Sequence, residues 1–360
     1  MERLLLIADT PLGDTSYANV GKQIMKMLKG KYELYWGGLQ YIGKPITLDG
    51  YTLLSFNNLQ NSAMWLMYYK HFDHILYIRN SWAVGIQGDP FRIVREFSND
   101  IIIYTPVEEN LIPKRFFKGL KGYDKEHNYY DRVITMTKTG KEIINNMGVE
   151  CEYLYHNLDT SKIYQGKSEY YKENNVLNIS YSLDYRKNIG TYLLIAKNNP
   201  DYVFNFNGLS SYYVIDDYLE LYNIKNVKIL NRLNNYMSFN FLSNKDISNL
   251  YGANNFYMQV SFKEGFDLTS LEALSNGLIT FIPDDKLHRE LFSDYPNAVF
   301  VKGSYNYPSM NQLEYFVPLK NWLKAFDENK ERKKMGIIKK DRFSFENVKN
   351  KLLKILQGGN

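Results

Sequence analysis

Short apolar runs alternate with amphipathic stretches along the chain. Leu4, Leu5, Leu6, Ile7 and Ala8 lead into the turn-rich segment Asp9–Thr15, after which Val20, Ile24, Met27 and Leu28 recur at helical spacing. That order predicts strand, loop and helix. The pattern returns at Ile101–Tyr104, at Arg132–Met136 followed by a helix through Ile143 and Met147, and at Tyr153–Tyr155. The polar stretch Ser161–Asn175 reads as a linker. A second series follows, with strands at 176–181, 202–205, 227–230 and 256–260 and helices about 189–198 and 246–251. Apolar strands alternating with amphipathic helices build parallel sheets. The expected fold class is therefore α/β: two doubly wound, Rossmann-like domains, residues 1–165 and 172–340. They are expected to face each other across a cleft at the carboxyl ends of the strands, where open α/β sheets bind ligands.

Composition narrows this picture. At 360 residues the chain exceeds the roughly 150 of an average domain, and 44% hydrophobic with 23% charged residues is ordinary globular composition. The 44 basic and 39 acidic residues leave a formal charge of +5 spread along the chain, which does not suggest a dedicated nucleic-acid binder. Cys151 is the only cysteine and has no intramolecular partner, and the apolar part of the N-terminus is too short for a signal peptide. Both point to a cytoplasmic protein. No run of 18 apolar residues occurs, so any membrane association would be peripheral.

The segment Ser261–Gly277, Ser-Phe-Lys-Glu-Gly-Phe-Asp-Leu-Thr-Ser-Leu-Glu-Ala-Leu-Ser-Asn-Gly, carries the most chemistry. It leaves a strand and opens a helix. Thr269 with Glu272 three residues on is a capping-box pattern, and Gly277 suits the helix stop. Taken alone, that pattern asks Glu272 only to satisfy a backbone N–H. Glu264, eight residues earlier, changes the reading. A helix N-terminus attracts phosphate through free N–H groups and the macrodipole. Two carboxylates flanking such a site make sense as acceptors for hydroxyls on either side of a diphosphate. A nucleotide sugar has that layout.

The segment resembles the E-x7-E motif of the retaining family 4 (group 1) glycosyltransferases, whose usual form is close to Glu-Gly-Phe-Gly-Leu-Pro-x-Leu-Glu-Ala-Leu-Ala-x-Gly. The resemblance implies a GT-B fold, with Glu264 contacting the donor sugar and Glu272 the ribose. Gly265 and the backbone N–H groups near Phe266, Asp267, Leu268 and Thr269 would line the diphosphate. Asp267 stands for the usual glycine and Thr269 for proline. A second segment, Asn178–Asn188, resembles the family's strand and loop ending in Arg-Lys-Gly, which implies that Lys187, with Arg186, stabilises the leaving diphosphate. Relatives carry a further arginine where this chain has Tyr181 or Ser182.

The resemblance extends through Asp131–Lys141 with Tyr155–Asp159, through Leu242–Asn254, and through Arg342–Val348, the start of a last helix about 343–360 expected to return to the first domain. In that domain Gly13 and Asp14 occupy the loop that reaches the donor phosphates or the acceptor in this family. Glu108 or Glu109 follows a strand where relatives place a histidine or an aspartate.

What the resemblance implies is transfer of a sugar from a UDP-, GDP- or ADP-linked donor to a saccharide, protein or lipid acceptor, with retention of configuration. No cofactor and no metal are expected. Asp216-Asp217 and Asp284-Asp285 lack the D-x-D form, and His71 and His74 lack a third ligand at plausible spacing. Two alternatives stay open: a nucleotide-sugar epimerase on the same fold, and a binding protein with impaired catalysis. The basic, aromatic segment 112–121 reads first as a solvated helix and second as a peripheral membrane contact. Gly166-Lys167-Ser168 is not a phosphate-binding P-loop, since Ser161 stands where that motif needs glycine.

Overall fold

The computed structural model describes residues 1–13, 15–80, 93–108, 129–165, 168–180, 185–208, 212–230, 242–309 and 312–358. Asp14, Glu109, Tyr181, Ser182 and the segment 112–121 lie outside the described residues. The chain divides into two compact units, Met1–Asn157 with Asp341–Asn360, and Leu158–Lys340.

The first unit holds a sheet of β1 (Arg3–Asp9), β2 (Glu33–Leu39), β3 (Ile46–Leu48), β4 (Tyr51–Ser55), β5 (His74–Ile78), β6 (Ile101–Thr105), β7 (Arg132–Thr135) and β8 (Glu152–Tyr153). Its spatial order is β3-β4-β2-β1-β5-β6-β7-β8, parallel throughout except for the β3–β4 edge. Helices α1 (Ser16–Leu28), α2 (Leu59–Tyr69) and α3 (Lys138–Asn146) connect the strands. All five residues Leu4 to Ala8 are fully buried, which is why β1 is a continuous apolar run rather than an alternating one. On α1, a Cβ at Gly21 would lie 2.5 Å from the Trp36 ring, so only glycine lets this helix close on the sheet. Thr15 caps α1, accepting from the Ala18 N–H at 3.1 Å.

The second unit begins at Leu158, ahead of the 161–175 stretch expected to be a linker. Thr160–Lys162 forms a 3-10 turn, and β9 (Lys172–Ser180) starts four residues before the apolar signal. The first three residues of β9 are exposed, so hydropathy does not mark them. Its sheet contains β9, β10 (Val203–Gly208), β11 (Val227–Ile229), β12 (Asn254–Met258), β13 (Ile279–Pro283) and β14 (Ala298–Val301), all parallel, in the order β11-β10-β9-β12-β13-β14. The helices are α4 (Ile189–Lys197), α5 (Tyr212–Leu221), α6 (Asn244–Ala253), α7 (Leu268–Ser275), α8 (Lys286–Phe292) and α9 (Leu319–Asn329). A hairpin, β15 (Ser304–Ser309) and β16 (Gln312–Phe316), stands outside the six-stranded sheet and is not among the strands that the apolar pattern predicts.

The period of two sorts the side chains of β9 and β12 to opposite faces. Val176 and Phe256, which pair across the two strands, join Phe204, Phe281, Trp322 and Phe326 in one core. Their neighbours Leu177 and Tyr257 face Tyr251 of α6 and Ala273 of α7. Burying such apolar side chains contributes about 1.5–3 kcal/mol each. The C-terminal helix α10 (Phe345–Leu356) belongs to the first unit, burying Val348, Leu352, Ile355 and Leu356 there.

Candidate functional site

In the second sheet the strand order turns back between β9 and β12. Open α/β sheets bind ligands at such a reversal, beyond the carboxyl ends of the strands. The chain leaving β9 reaches a 3-10 turn at Tyr185–Lys187, and the chain leaving β12 runs through Gln259–Glu264. Two hydrogen bonds tie these exits together. The Phe262 N–H donates to the Arg186 carbonyl at 2.9 Å, and Asn188 Nδ2 donates to the Val260 carbonyl at 3.0 Å. Asn188 sits in the left-handed region, φ 49°, a conformation asparagine tolerates better than most side chains.

This join brings the first predicted cluster into contact. Lys187 Nζ donates to Oε1 of Glu264 at 2.6 Å, and Arg186 lies 3.6 Å from Oε2 of the same carboxylate. The Glu264 side chain is 9% exposed and that of Lys187 13%, so their charges pair across little intervening water. The Tyr185 ring packs on Phe262, and the Tyr315 N–H of the β15–β16 hairpin donates to the Phe262 carbonyl, so the hairpin braces this corner.

Helix α7 starts differently from the sequence expectation. Thr269 and Glu272 make no capping box: the cap is Asp267, in the left-handed region at φ 62° and ψ 64°, accepting from the Ser270 N–H at 3.1 Å. Thr269 is already inside the helix, and its hydroxyl donates to Asp267 Oδ1 at 3.2 Å. Gln259 Nε2 donates to the same oxygen at 2.9 Å. On the other side, Asp267 Oδ2 faces His288 Nε2 at 3.2 Å, and His288 Nδ1 faces Asp285 Oδ1 at 2.8 Å. Burial alone would push His288 down, but the two carboxylates raise it to about 10. Asp267 is held below the usual carboxylate range: burial opposes this, and the hydrogen bond and charge of His288 prevail.

Free of any capping duty, Glu272 is held by two distant donors. Lys162 Nζ donates to Oε1 at 2.7 Å, and the Tyr251 hydroxyl donates to Oε2 at 2.9 Å. Burial, with the Glu272 charge beside it, keeps the Tyr251 phenol well above the usual tyrosine range, hence protonated and able to donate. The Asn276 side chain, one residue past α7, donates to the Lys162 carbonyl at 3.1 Å and accepts from the Tyr164 N–H at 2.7 Å, which anchors the turn carrying Lys162. Gly277 behaves as expected: at φ 82° it follows the helix, its N–H donates to the Leu274 carbonyl, and that of Leu278 to the Ala273 carbonyl.

Arg186, Lys187 and Glu264 thus form one cluster, and Glu272 forms a second with Lys162 and Tyr251. Between them in sequence lie buried Gly265, Phe266 and Asp267 and half-buried Leu268 and Thr269. Gly13 lies in the other unit, on the loop after β1, where its carbonyl accepts from Lys22 Nζ at 2.9 Å. Glu108 follows β6 in that unit. Lys162, Tyr251, Gln259 and His288 were not singled out in the sequence. A buried glutamate needs a cationic or hydroxyl partner, yet Lys162 lies 110 positions from Glu272, and nothing local names it. The aspartate in the usual glycine position was the one signal that a counter-charge must exist. Among the described residues, no three His, Cys, Asp or Glu side chains gather as a metal site, and no helix is long and apolar enough to cross a membrane.

No family model matches the sequence, and no curated protein matches it. Solved structures do. Sucrose-phosphate synthase from Thermosynechococcus elongatus superposes with a TM-score of 0.71 at 11% identity, covering 99% of this chain and 98% of that one. Anabaena HepE, solved in complex with UDP and glucose, gives 0.67 at 13% identity, covering 99% and 100%. WaaG, a glycosyltransferase involved in lipopolysaccharide biosynthesis, gives 0.64 at 11% identity, covering 99% and 100%. At such identities the likeness establishes the fold: the chain has the GT-B fold of these glycosyltransferases, as the resemblance of its Glu264–Glu272 segment implied.

Proposed function

We propose that the protein is a glycosyltransferase that binds a nucleotide-diphosphate sugar in its second unit and transfers the sugar to an acceptor hydroxyl with retention of configuration. One observation carries the reading: the half-buried Lys187–Glu264 pair stands at the reversal of strand order, and the start of α7 and the braced Glu272 follow it in the chain. The fold is that of glycosyltransferases, and HepE was solved with UDP and glucose bound.

In this reading Glu264 accepts hydrogen bonds from the donor sugar and Glu272 from the ribose diol. Lys187 and Arg186 face the diphosphate. When the bond between the anomeric carbon and the phosphate oxygen breaks, its electron pair leaves with the diphosphate, and these cations stabilise the growing negative charge. The acceptor oxygen joins the anomeric carbon from the same face. Its proton passes to the departing phosphate oxygen, so no separate catalytic base is needed. The chain's own residues perform these steps with no cofactor and no metal. The donor class is UDP-, GDP- or ADP-linked sugar, and the acceptor is a saccharide, protein or lipid hydroxyl.

The test is product formation from radiolabelled donors with and without acceptors, for wild type, Glu264→Ala and Lys187→Ala. The expected outcome is acceptor-dependent transfer by wild type, lost in both variants while their circular dichroism is unchanged. Near-normal turnover in either variant overturns the assigned roles. Donor conversion without acceptor points to the epimerase, and binding without any product to a protein that has lost turnover.

A further inference from the structure

Position 267 is where the resembled motif carries glycine, and here an acid fills it at the leading end of α7. The left-handed backbone of Asp267 is one that glycine enters more readily than other residues, and aspartate is among the few side chains that tolerate it. An aspartate at a helix start is an ordinary cap. At a helix start that is to receive a diphosphate it adds like charge where the ligand's anion must sit. The structure shows where that charge goes. The Asp267 carboxylate is only 1% exposed and is satisfied from inside by Gln259, Thr269, the Ser270 N–H and His288. The His288 side chain is fully buried, with one ring nitrogen on Asp267 and the other on Asp285. A neutral imidazole carries one N–H and would turn a lone pair toward one of the two carboxylates. Only the doubly protonated ring can donate to both.

We propose that His288, as an imidazolium bridging Asp267 and Asp285, is the positioning residue that makes the start of α7 compatible with an anionic ligand. It draws the Asp267 carboxylate into the body of the unit and balances its charge, so that an acid in the glycine position does not repel the donor's diphosphate. His288 does not touch the ligand; it acts through Asp267. The inference rests on the reading of this corner as a nucleotide-sugar site and adds a residue 21 positions away to it.

The experiment compares wild type, His288→Gln and Asp267→Asn/His288→Gln, each as the full chain. Calorimetric titration identifies which of UDP, GDP and ADP wild type binds tightest, and the matching nucleoside is measured by competition. His288→Gln leaves Asp267 without its counter-charge. It should weaken the diphosphate by about tenfold or more while changing the nucleoside less than about twofold, because only the phosphates sense the charge. The double variant removes charge and counter-charge together and should return diphosphate affinity to within about threefold of wild type. Equal losses for nucleoside and diphosphate mean a purely structural role and overturn the proposal, as does unchanged diphosphate affinity in His288→Gln. Should His288→Gln fail to fold, the double variant decides alone: folded, with near-wild-type diphosphate affinity, it supports charge balance, and folded with about tenfold weaker binding it refutes it. If wild type binds none of the three diphosphates, the functional reading fails and this inference with it. If wild type binds and the variants behave alike, this inference alone fails.

Discussion

The charge assigned to His288 makes a prediction about stability that needs no ligand. Its folded pKa is raised to about 10 from an ordinary 6.5, because Asp285 and Asp267 outweigh the cost of burial. A raised folded pKa contributes stability fully below the unfolded value and loses it as pH climbs through the folded one. Between pH 6.5 and about 10 the unfolded chain has released a proton that the folded chain keeps. Stability should therefore fall by about 1.4 kcal/mol per pH unit in that window, of order 5 kcal/mol across all of it. Urea denaturation followed by circular dichroism at pH 7, 8 and 9 reads this slope. The comparator is Asp267→Asn/His288→Gln, which keeps similar shapes and removes the titrating pair. Lys334 and Lys351, both pushed down to about 8 by burial, titrate in the same window but are common to both proteins and cancel in the difference. Wild type should lose about 2–3 kcal/mol more than the double variant between pH 7 and pH 9. Parallel curves would mean that the ring is neutral in the folded protein, and the charge-balance argument would fall with that result.

Two further substitutions probe the architecture around the site. Lys162→Met leaves Glu272, 6% exposed, with one oxygen unpaired. Since breaking a buried pair costs about 3–5 kcal/mol and this one is slightly wetted, a loss at or below the low end is expected. The same variant should also narrow the preference for ribonucleotide over 2′-deoxyribonucleotide diphosphates, and an unchanged ratio would show that Lys162 does not orient Glu272 for a diol. Gly277→Ala places a Cβ 2.1 Å from the Met335 carbonyl oxygen at a backbone φ of 82°. The left-handed backbone alone costs about 1–2 kcal/mol and the clash adds to it, so soluble yield and melting temperature should drop sharply; a melting temperature within a degree or so of wild type would contradict the geometry.

Much of the fold is legible in the sequence because its signals are local. Leu4 to Ala8 and Ile101 to Tyr104 are continuous apolar runs because their strands are covered on both faces. Gly277 announces a helix end because the left-handed turn there favours glycine. The errors arise where a side chain answers to something remote. Polar residues hide the start of β9, whose pairing partner Asn254 lies 82 positions beyond Lys172. The Thr269–Glu272 spacing fits a capping box, yet Asp267 takes the cap and Glu272 turns to Lys162 and Tyr251, because a buried carboxylate is better satisfied by an ammonium and a phenol than by one backbone N–H. The site follows the same division. Glu264, Glu272, Arg186 and Lys187 stand in short motifs, whereas Lys162, Tyr251 and His288 support them from elements that only the fold brings near.

The central claim is that the second unit holds a nucleoside diphosphate between the Lys187–Glu264 pair and Glu272. The direct measurement is calorimetric titration of UDP, GDP and ADP into wild type and Glu272→Ala. One of the three should bind wild type with a stoichiometry of one and bind the variant at least about tenfold more weakly, since a charged acceptor facing a ribose diol contributes about 1.5–3 kcal/mol. Heat indistinguishable from dilution for all three nucleotides, or an affinity that ignores the loss of Glu272, would contradict the account.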